Sequence, residues 1–177
     1  DAGADDDFVI GGKGGETITA SAGDNIIIGD EGVIGRGWDG LGNVNFDVFS
    51  TFPDIGGIDT VTTGDGIDIV IGGRDGDTSI TTAGGDDKIL GDHGRIVRTG
   101  VGTDNAQVQA IISGICSDWD QTTVFTDCHD DGGPDALIDA GADDDFVIGG
   151  KGGETITASA GDNIIIGDEG VIGRGWD

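Results

Sequence analysis

The sequence predicts an all-β solenoid of short strands joined by glycine-rich turns, and three observations carry that prediction. Residues 2–28 divide every nine positions into AGADDDFVI, GGKGGETIT and ASAGDNIII. The sixth place of each piece bears a side-chain oxygen (Asp7, Glu16, Asn25), and the eighth is apolar (Val9, Ile18, Ile27). Residues 1–39 and 139–177 are then the same sequence without one substitution, a period of 138 residues.

The first nonapeptide block spans 1–37 and closes with GDEGVIG, which breaks the ninefold spacing. An insertion at 38–53 follows. In it Val44, Phe46 and Val48 alternate as one short strand that stops at Pro53. The second block, 54–97, has Asp59, Asp68, Asp77 and Asp87 in the sixth place and Val61, Val70 and Ile89 in the eighth. Its piece GGRDGDTSIT carries one extra residue, read as a bulge. The block closes with GDHGRIV, an echo of GDEGVIG. A second insertion, 98–131, holds Cys116, Cys128, Trp119 and the apolar stretch AIISGI. Residues 132–177 enter the next copy through Asp135 and Leu137. The ends of the insertions, VFSTFPDIGGIDTV and VFTDCHDDGGPDAL, resemble one another. Each 138-residue unit therefore reads as two pseudo-repeats, each a run of turns plus an insertion, and the chain reads as a window on a longer tandem array.

Of 177 residues, 38 are Gly, 35 are Asp or Glu and 8 are Lys or Arg, for a formal charge of −27. That charge makes nucleic acid and anionic membranes poor partners. Acidic excess with few aromatics normally leaves a chain disordered. Here the acids are periodic, and each cluster precedes a strand-like triplet such as FVI, III or IVI. A chain that folds with a divalent cation fits that pattern better. No apolar run approaches the roughly 18 residues of a membrane span.

The nine-residue pattern resembles the nonapeptide G-G-x-G-x-D-x-U-x, with U apolar, of the RTX calcium-binding repeat proteins. The resemblance covers about half of each unit. It implies calcium-binding parallel β-roll blocks with partly strand-forming insertions between them. In such a roll each nonapeptide is one turn and one short strand, successive turns fall on opposite edges, and calcium sits between turns two apart. Carried over, this pairs Asp7 with Asn25, Asp59 with Asp77, Asp68 with Asp87, Asp135 with Glu154, and Asp145 with Asn163. Glu16 holds the same place, and Asp30, Asp92 and the copy Asp168, in the closures, are candidate ligands at the end of each stack. Calcium takes about six to eight hard oxygen ligands, and Gly permits the positive φ that turns carbonyls inward. The chain departs from the pattern in that Asn25 brings no charge and Glu16 is one carbon longer. Asp5, Asp6, Asp24, Asp65, Asp75 and Asp86 add acids inside the turns.

In this arrangement eighth-place residues point inward and their neighbours outward. One outward face carries Thr17, Thr19, Thr60 and Thr62; the other carries Phe8, Ile10, Ile26, Ile28, Ile69, Ile71 and Leu90. A face that apolar needs cover. The insertions, with Trp38, Phe46, Phe49, Ile111, Ile112 and Trp119, are the expected cover, ahead of a neighbouring copy. The Thr ladder is expected to be interrupted by the insertions. At about 4.8 Å per coil, about five coils would lengthen each unit by some tens of ångströms.

Cys116 and Cys128 close a short loop, which fits a disulfide of about 3 kcal/mol and an oxidising compartment. Two free thiols are the other reading. A zinc site would have only His129 and Asp127 beside Cys128, with no CxxC. No nucleophile pattern organises His93 or His129, so no enzyme is expected. The resemblance implies a structural repeat of a very large secreted bacterial protein, an extracellular or cell-surface fibre or adhesin stalk holding several calcium ions per unit. Its partners would be identical repeats end to end, with scope for lateral association. The alternatives are a calcium-dependent ligand-binding module (surface adhesion, ice or glycan) and an accessory module of a secreted enzyme.

Overall fold

Apolar triplets of three residues are too short to bury themselves alone, and the chain solves this by stacking them in register. The computed structural model describes residues 1–38, 44–103, 107–116, 128–129 and 132–173, with backbone alone at 38, 44–45, 115–116 and 128–129. The described residues are all-β, without a helix. Two parallel sheets form the centre, and the chain crosses from one to the other at each turn, passing through a third sheet after Ile26–Ile28 and after Lys88–Leu90. The middle sheet runs, in spatial and chain order, Phe8–Ile10, Ile26–Ile28, Ile69–Ile71, Lys88–Leu90, Phe146–Ile148 and Ile164–Ile166. The outer sheet runs Thr17–Thr19, Thr60–Thr62, Ser79–Thr81, Ile138–Asp139 and Ile156–Thr157.

Side chains alternate across each strand. The central residues Ile18, Ile27, Val61, Val70, Ile80, Ile89, Ile138 and Val147 therefore meet between the two sheets as one apolar core. The flanking residues of the middle sheet face the other way, where the third sheet covers those of the inner strands, while Phe8, Ile10 and Ile164 on the end strands stay exposed. That sheet is antiparallel and runs Gly32–Ile34, Val48–Ser50, Gly94–Arg98, Val108–Ser113 and Val171–Gly173. Ile34, Val48, Ile96, Ile111 and Ile172 align across it and pack on Ile26, Ile28, Ile69, Ile71, Leu90 and Ile148. The expected cover is thus present, and Ile26, Ile28 and Ile69 are fully buried. Of the residues expected to supply it, Ile111 packs into this layer. Phe49 lies in a row on the opposite face with Arg95, whose guanidinium sits 5.7 Å from the ring. The side chain of Trp38 and all of Trp119 lie outside the described residues.

Three sequence expectations change, and a fourth, the extra residue, is located. Val44, Phe46 and Val48 do not share one strand: Val44–Asn45 pairs with Gly37–Trp38, and Val48–Ser50 belongs to the cover. The break falls where Phe46 O accepts Arg98 Nε at 2.7 Å and the Asp47 carboxylate accepts Arg98 N at 3.0 Å and pairs with Arg95. The Thr ladder is not interrupted. Thr17 and Thr19 pair directly with Thr60 and Thr62, which pair with Ser79 and Thr81, because the insertion leaves from a turn and not from the sheet. The extra residue of GGRDGDTSIT is Thr78, absorbed between the aligned pairs Asp59–Asp77 and Thr60–Ser79. Finally, Phe146–Ile148 repeats Phe8–Ile10 four strands later in the middle sheet, Ile156–Thr157 repeats within Thr17–Thr19 four strands later in the outer sheet, and Val171 repeats Val33 four strands later in the cover. Each unit therefore contributes four strands, not five, to every layer, a rise of about 19 Å at the usual strand spacing.

One charge sits within the apolar face. Lys88 aligns with Ile69 and Phe146, is fully buried, and donates from Nζ to the carbonyl of Asp86.

Candidate metal centre

The sixth-place residues end the turns, one per coil, and stacking the strands stacks them in two files. On the edge where the chain passes from outer to middle sheet stand Asp7, Asn25, Asp68, Asp87, Asp145 and Asn163. Each after Asp7 accepts, through Oδ1, the backbone N–H of the residue before it in the file: Asp7 N donates to Asn25 at 3.0 Å, Asn25 N to Asp68 at 2.8 Å, Asp68 N to Asp87 at 2.8 Å, Asp87 N to Asp145 at 3.0 Å, and Asp145 N to Asn163 at 2.8 Å. The expected pairs Asp7–Asn25, Asp68–Asp87 and Asp145–Asn163 are adjacent here. The contacts Asn25–Asp68 and Asp87–Asp145, which join one block to the next, were not foreseen.

The opposite edge carries both insertions. Here Glu16 N donates to Asp59 Oδ1 at 2.7 Å, Asp59 N to Asp77 Oδ1 at 2.8 Å, and Asp77 N to Asp135 Oδ1 at 2.8 Å. Glu154 is on the next coil, since Ile138–Asp139 pairs with Ile156–Thr157. Asp168 lies at the exposed end.

One oxygen of Asp59, Asp68, Asp77, Asp87 and Asp145 is occupied in this way. The other is not. Asp7, Asp68, Asp87 and Asp145 on the first edge, and Asp59 and Asp77 on the second, each bury Oδ2 with no hydrogen-bond partner among the described residues. Glu16 and Glu154 each bury one such Oε. Buried polar atoms are rarely left unpaired, and a repeated row of anionic oxygens is a donor set for a hard cation. The tightest grouping is Glu16, Asp30 and Asp59, one oxygen from each lying within 4.8 Å of the others. Asp30 is held there by Gly57 N at 2.9 Å and by Arg74 N. These residues can hold a metal ion. Two glycines make room: a Cβ on Gly29 would fall 2.3 Å from Asp59 Oδ2, and one on Gly56 within 2.4 Å of both Asp30 oxygens.

Without a cation these carboxyls are hard to ionise. Burial raises Asp77 and Asp87 to about 8 and Asp30 and Asp145 to about 6. It also raises Asp59, Asp68 and Glu154, and neighbouring carboxylates add to the shift.

The extra turn acids behave differently. Asp24 N donates to Asp6 Oδ1 at 2.9 Å, and Asp162 N to Asp144 Oδ1 at 2.7 Å, in exposed pairs that water also solvates. The cysteines are opposed across a two-stranded ribbon, with Cys116 the partner of Cys128. Asp127, the other residue considered for zinc, lies outside the described residues, as does the side chain of His129. His93 is buried, its Nε2 3.2 Å from the carbonyl of Pro53.

The fold and site together define an all-β chain with parallel sheets, cored by apolar triplets and edged by buried carboxylates. No protein-family model, curated protein or solved structure matches it.

Proposed function

We propose that the chain is a calcium-stabilised structural repeat of an extracellular fibre or adhesin stalk, built as a tandem array of β-roll units in a secreted RTX-type protein. The observation that carries the reading is the row of buried carboxylate oxygens without hydrogen-bond partners among the described residues, on Asp7, Asp68, Asp87 and Asp145 along one edge and Glu16, Asp59, Asp77 and Glu154 along the other. Calcium supplies positive charge between coils whose acids otherwise repel one another every ~4.8 Å along the stack. The residues do the rest: Oδ1 holds register through a backbone N–H, and the buried Oδ2 would be the oxygen offered to the ion. With −27 on 177 residues, the chain gains order only where such charge is neutralised. Identical repeats are its natural partners, because the second copy continues all three sheets of the first.

Negative-stain microscopy of one-, two- and four-unit arrays, in millimolar calcium and in chelator, tests this. Rods that lengthen with unit number and collapse in chelator are expected. Separate beads unchanged by chelator would remove both the stalk and the calcium.

The same reading assigns a disulfide to Cys116 and Cys128. Directly opposed residues of an antiparallel pair have Cα atoms about 4.5–5.5 Å apart, within the span a disulfide bridges. Intact mass on secreted protein is expected to be two hydrogens short of the reduced form, with both thiols alkylated only after reduction.

A second reading rests on the hydroxyl ladder of the first three strands of the outer sheet, which ends at Asp139. Thr17, Thr19 and Thr62 are exposed on it, and it suits a ligand-binding face for ice or glycan. Inhibition of ice recrystallisation by the folded chain, lost in Thr62→Tyr, would favour that module.

A further inference from the structure

We infer that the bond between Cys116 and Cys128 is a redox-controlled clamp on the joint between one 138-residue unit and the next, while the joint inside the unit is closed without one. The inference rests on the disulfide and tandem-array readings above and deepens them: it gives the bond a place and a task in the array.

The two insertions build their joints alike at first. Each ends a cover hairpin on a serine that brackets the glycine of the following closure. Ser50 Oγ accepts Gly94 N at 2.9 Å and donates to Gly94 O at 3.3 Å; Ser113 Oγ accepts Gly170 N at 2.7 Å and donates to Gly170 O at 3.3 Å. Each insertion then returns through paired glycines, Gly56–Gly57 or Gly132–Gly133, to the outer sheet at Thr60–Thr62 or Ile138–Asp139. The first joint lies within the unit, where Val48–Ser50 pairs with Gly94–Arg98. The second lies between units, where Val108–Ser113 pairs with Val171–Gly173 of the next copy.

Between the serine and the glycines the two differ. The first insertion crosses in five residues, 51–55. A turn closes them, with Ile55 N donating to Phe52 O at 2.8 Å. From the following closure His93 Nε2 donates to Pro53 O at 3.2 Å. The second insertion crosses in eighteen residues, 114–131, and the histidine tie cannot recur there. Cys116 stands three residues past Ser113, as Pro53 does past Ser50, and Glu169 holds the place of His93. A carboxylate accepts hydrogen bonds and does not supply that donor.

What stands there instead is a two-stranded ribbon, with Ile115 opposite His129 and Cys116 opposite Cys128. With the sulfurs joined, the path from Ser113 to Gly132 runs through 114–116 and 128–131, seven residues and close to the five of the first insertion. The entropic cost of closing a flexible loop grows with its length. The shorter path holds together Val108–Ser113 and Ile138–Asp139, the two strands on which Val171–Gly173 and Ile156–Thr157 of the next copy pair. The chemistry is thiol–disulfide exchange. Cys116 and Cys128 give two hydrogens to an external disulfide, which leaves as two thiols, and an added dithiol reverses the step. The clamp therefore closes in an oxidising compartment.

The test is hydrogen exchange of the full chain in millimolar calcium, before and after reduction with dithiothreitol, with intact mass recording the state of the thiols. Reduction lengthens the path from seven to eighteen residues. By loop scaling, exchange at 108–113 and 138–139 is expected to quicken by about fourfold, while 48–50 and 60–62 keep their rates. Cys116→Ser combined with Cys128→Ser is expected to show the faster rates throughout and no response to reductant. An intact disulfide whose reduction leaves 108–113 and 138–139 unchanged, or quickens both joints alike, would overturn the clamp and leave the disulfide reading standing. So would a double variant that exchanges as slowly as the oxidised parent. Two free thiols in the secreted protein would overturn both.

Discussion

The backbone N–H of Asp68 donates to Oδ1 of Asp87 at 2.8 Å, while Oδ2 of each residue is buried with no hydrogen-bond partner among the described residues. The bond fixes the spacing of two like charges, so the metal-free chain holds them best when they are protonated. Burial raises Asp77 and Asp87 to about 8 and Asp30 and Asp145 to about 6, well above the ordinary aspartate range. The folded state therefore binds more protons than the unfolded state between these limits, and stability falls as pH rises. In chelator the melting temperature is expected to drop steadily from pH 5 to pH 8.5. Calcium displaces those protons, so its stabilising effect should grow over the same range. Melting curves that are flat in chelator would show that the ladders are not buried as described.

Gly15 and Gly153 occupy the same place in the repeat, yet a Cβ on Gly15 would meet the carbonyl oxygen of Ile58 at 2.6 Å, whereas one on Gly153 meets nothing within 4 Å. The difference is the coil stacked above Gly15. Gly15→Ala is expected to cost about 1–3 kcal/mol through overpacking against backbone. Gly153→Ala is expected to fall within about 0.5 kcal/mol of the parent. Denaturant melts in calcium measure both, and equal costs would argue against direct stacking of residues 56–59 on 14–16.

Ile71 is fully buried between the middle sheet and the cover, whereas Thr62 is exposed on the outer sheet. Ile71→Ala is expected to lose about 2–5 kcal/mol, from lost transfer energy plus the cavity. Thr62→Ala should stay within about 0.5 kcal/mol. A small effect at Ile71 would mean that the cover is not seated on that face.

Arg98 ties the first insertion to the second. It donates to the carbonyls of Phe46, Val101, Gly102 and Gly35 at 2.7–3.2 Å, and burial lowers it to about 10, still charged at neutral pH. Arg98→Lys keeps the charge but cannot reach four carbonyls from one fork. A loss of about 3–5 kcal/mol is expected, the cost of breaking a buried charged network, and calorimetric melting checks it.

The coil was legible because every cue for it is local. Nine residues contain a turn, an acid and a triplet whose alternation separates core from surface, as with Asp68, Ile69, Val70 and Ile71. The cover was legible as a need, from the outward isoleucines at 26, 28 and 69, but its strands were not. Their partners are set by the return path of two insertions, which no period encodes. The same gap hid the contact of Asn25 with Asp68, 43 residues away. Asp30 was legible as a candidate ligand but not as a neighbour of Glu16 and Asp59. The recurring Gly three residues before Asp59 and before Asp135, Gly56 and Gly132, was the available sign that each insertion returns to the turn it left. Lys88 in an isoleucine row had no sequence signal beyond its place.

All three sheets stack their strands in the same order and with the same number per unit, so their hydrogen bonds point along the length of the stack. A pull on the two ends of the chain then loads those bonds by peeling and not by shear. Coils come away one at a time from the end, each releasing slack before the next is strained. A stack of such coils under tension would give way as a series of small, repeatable steps rather than by a single rupture.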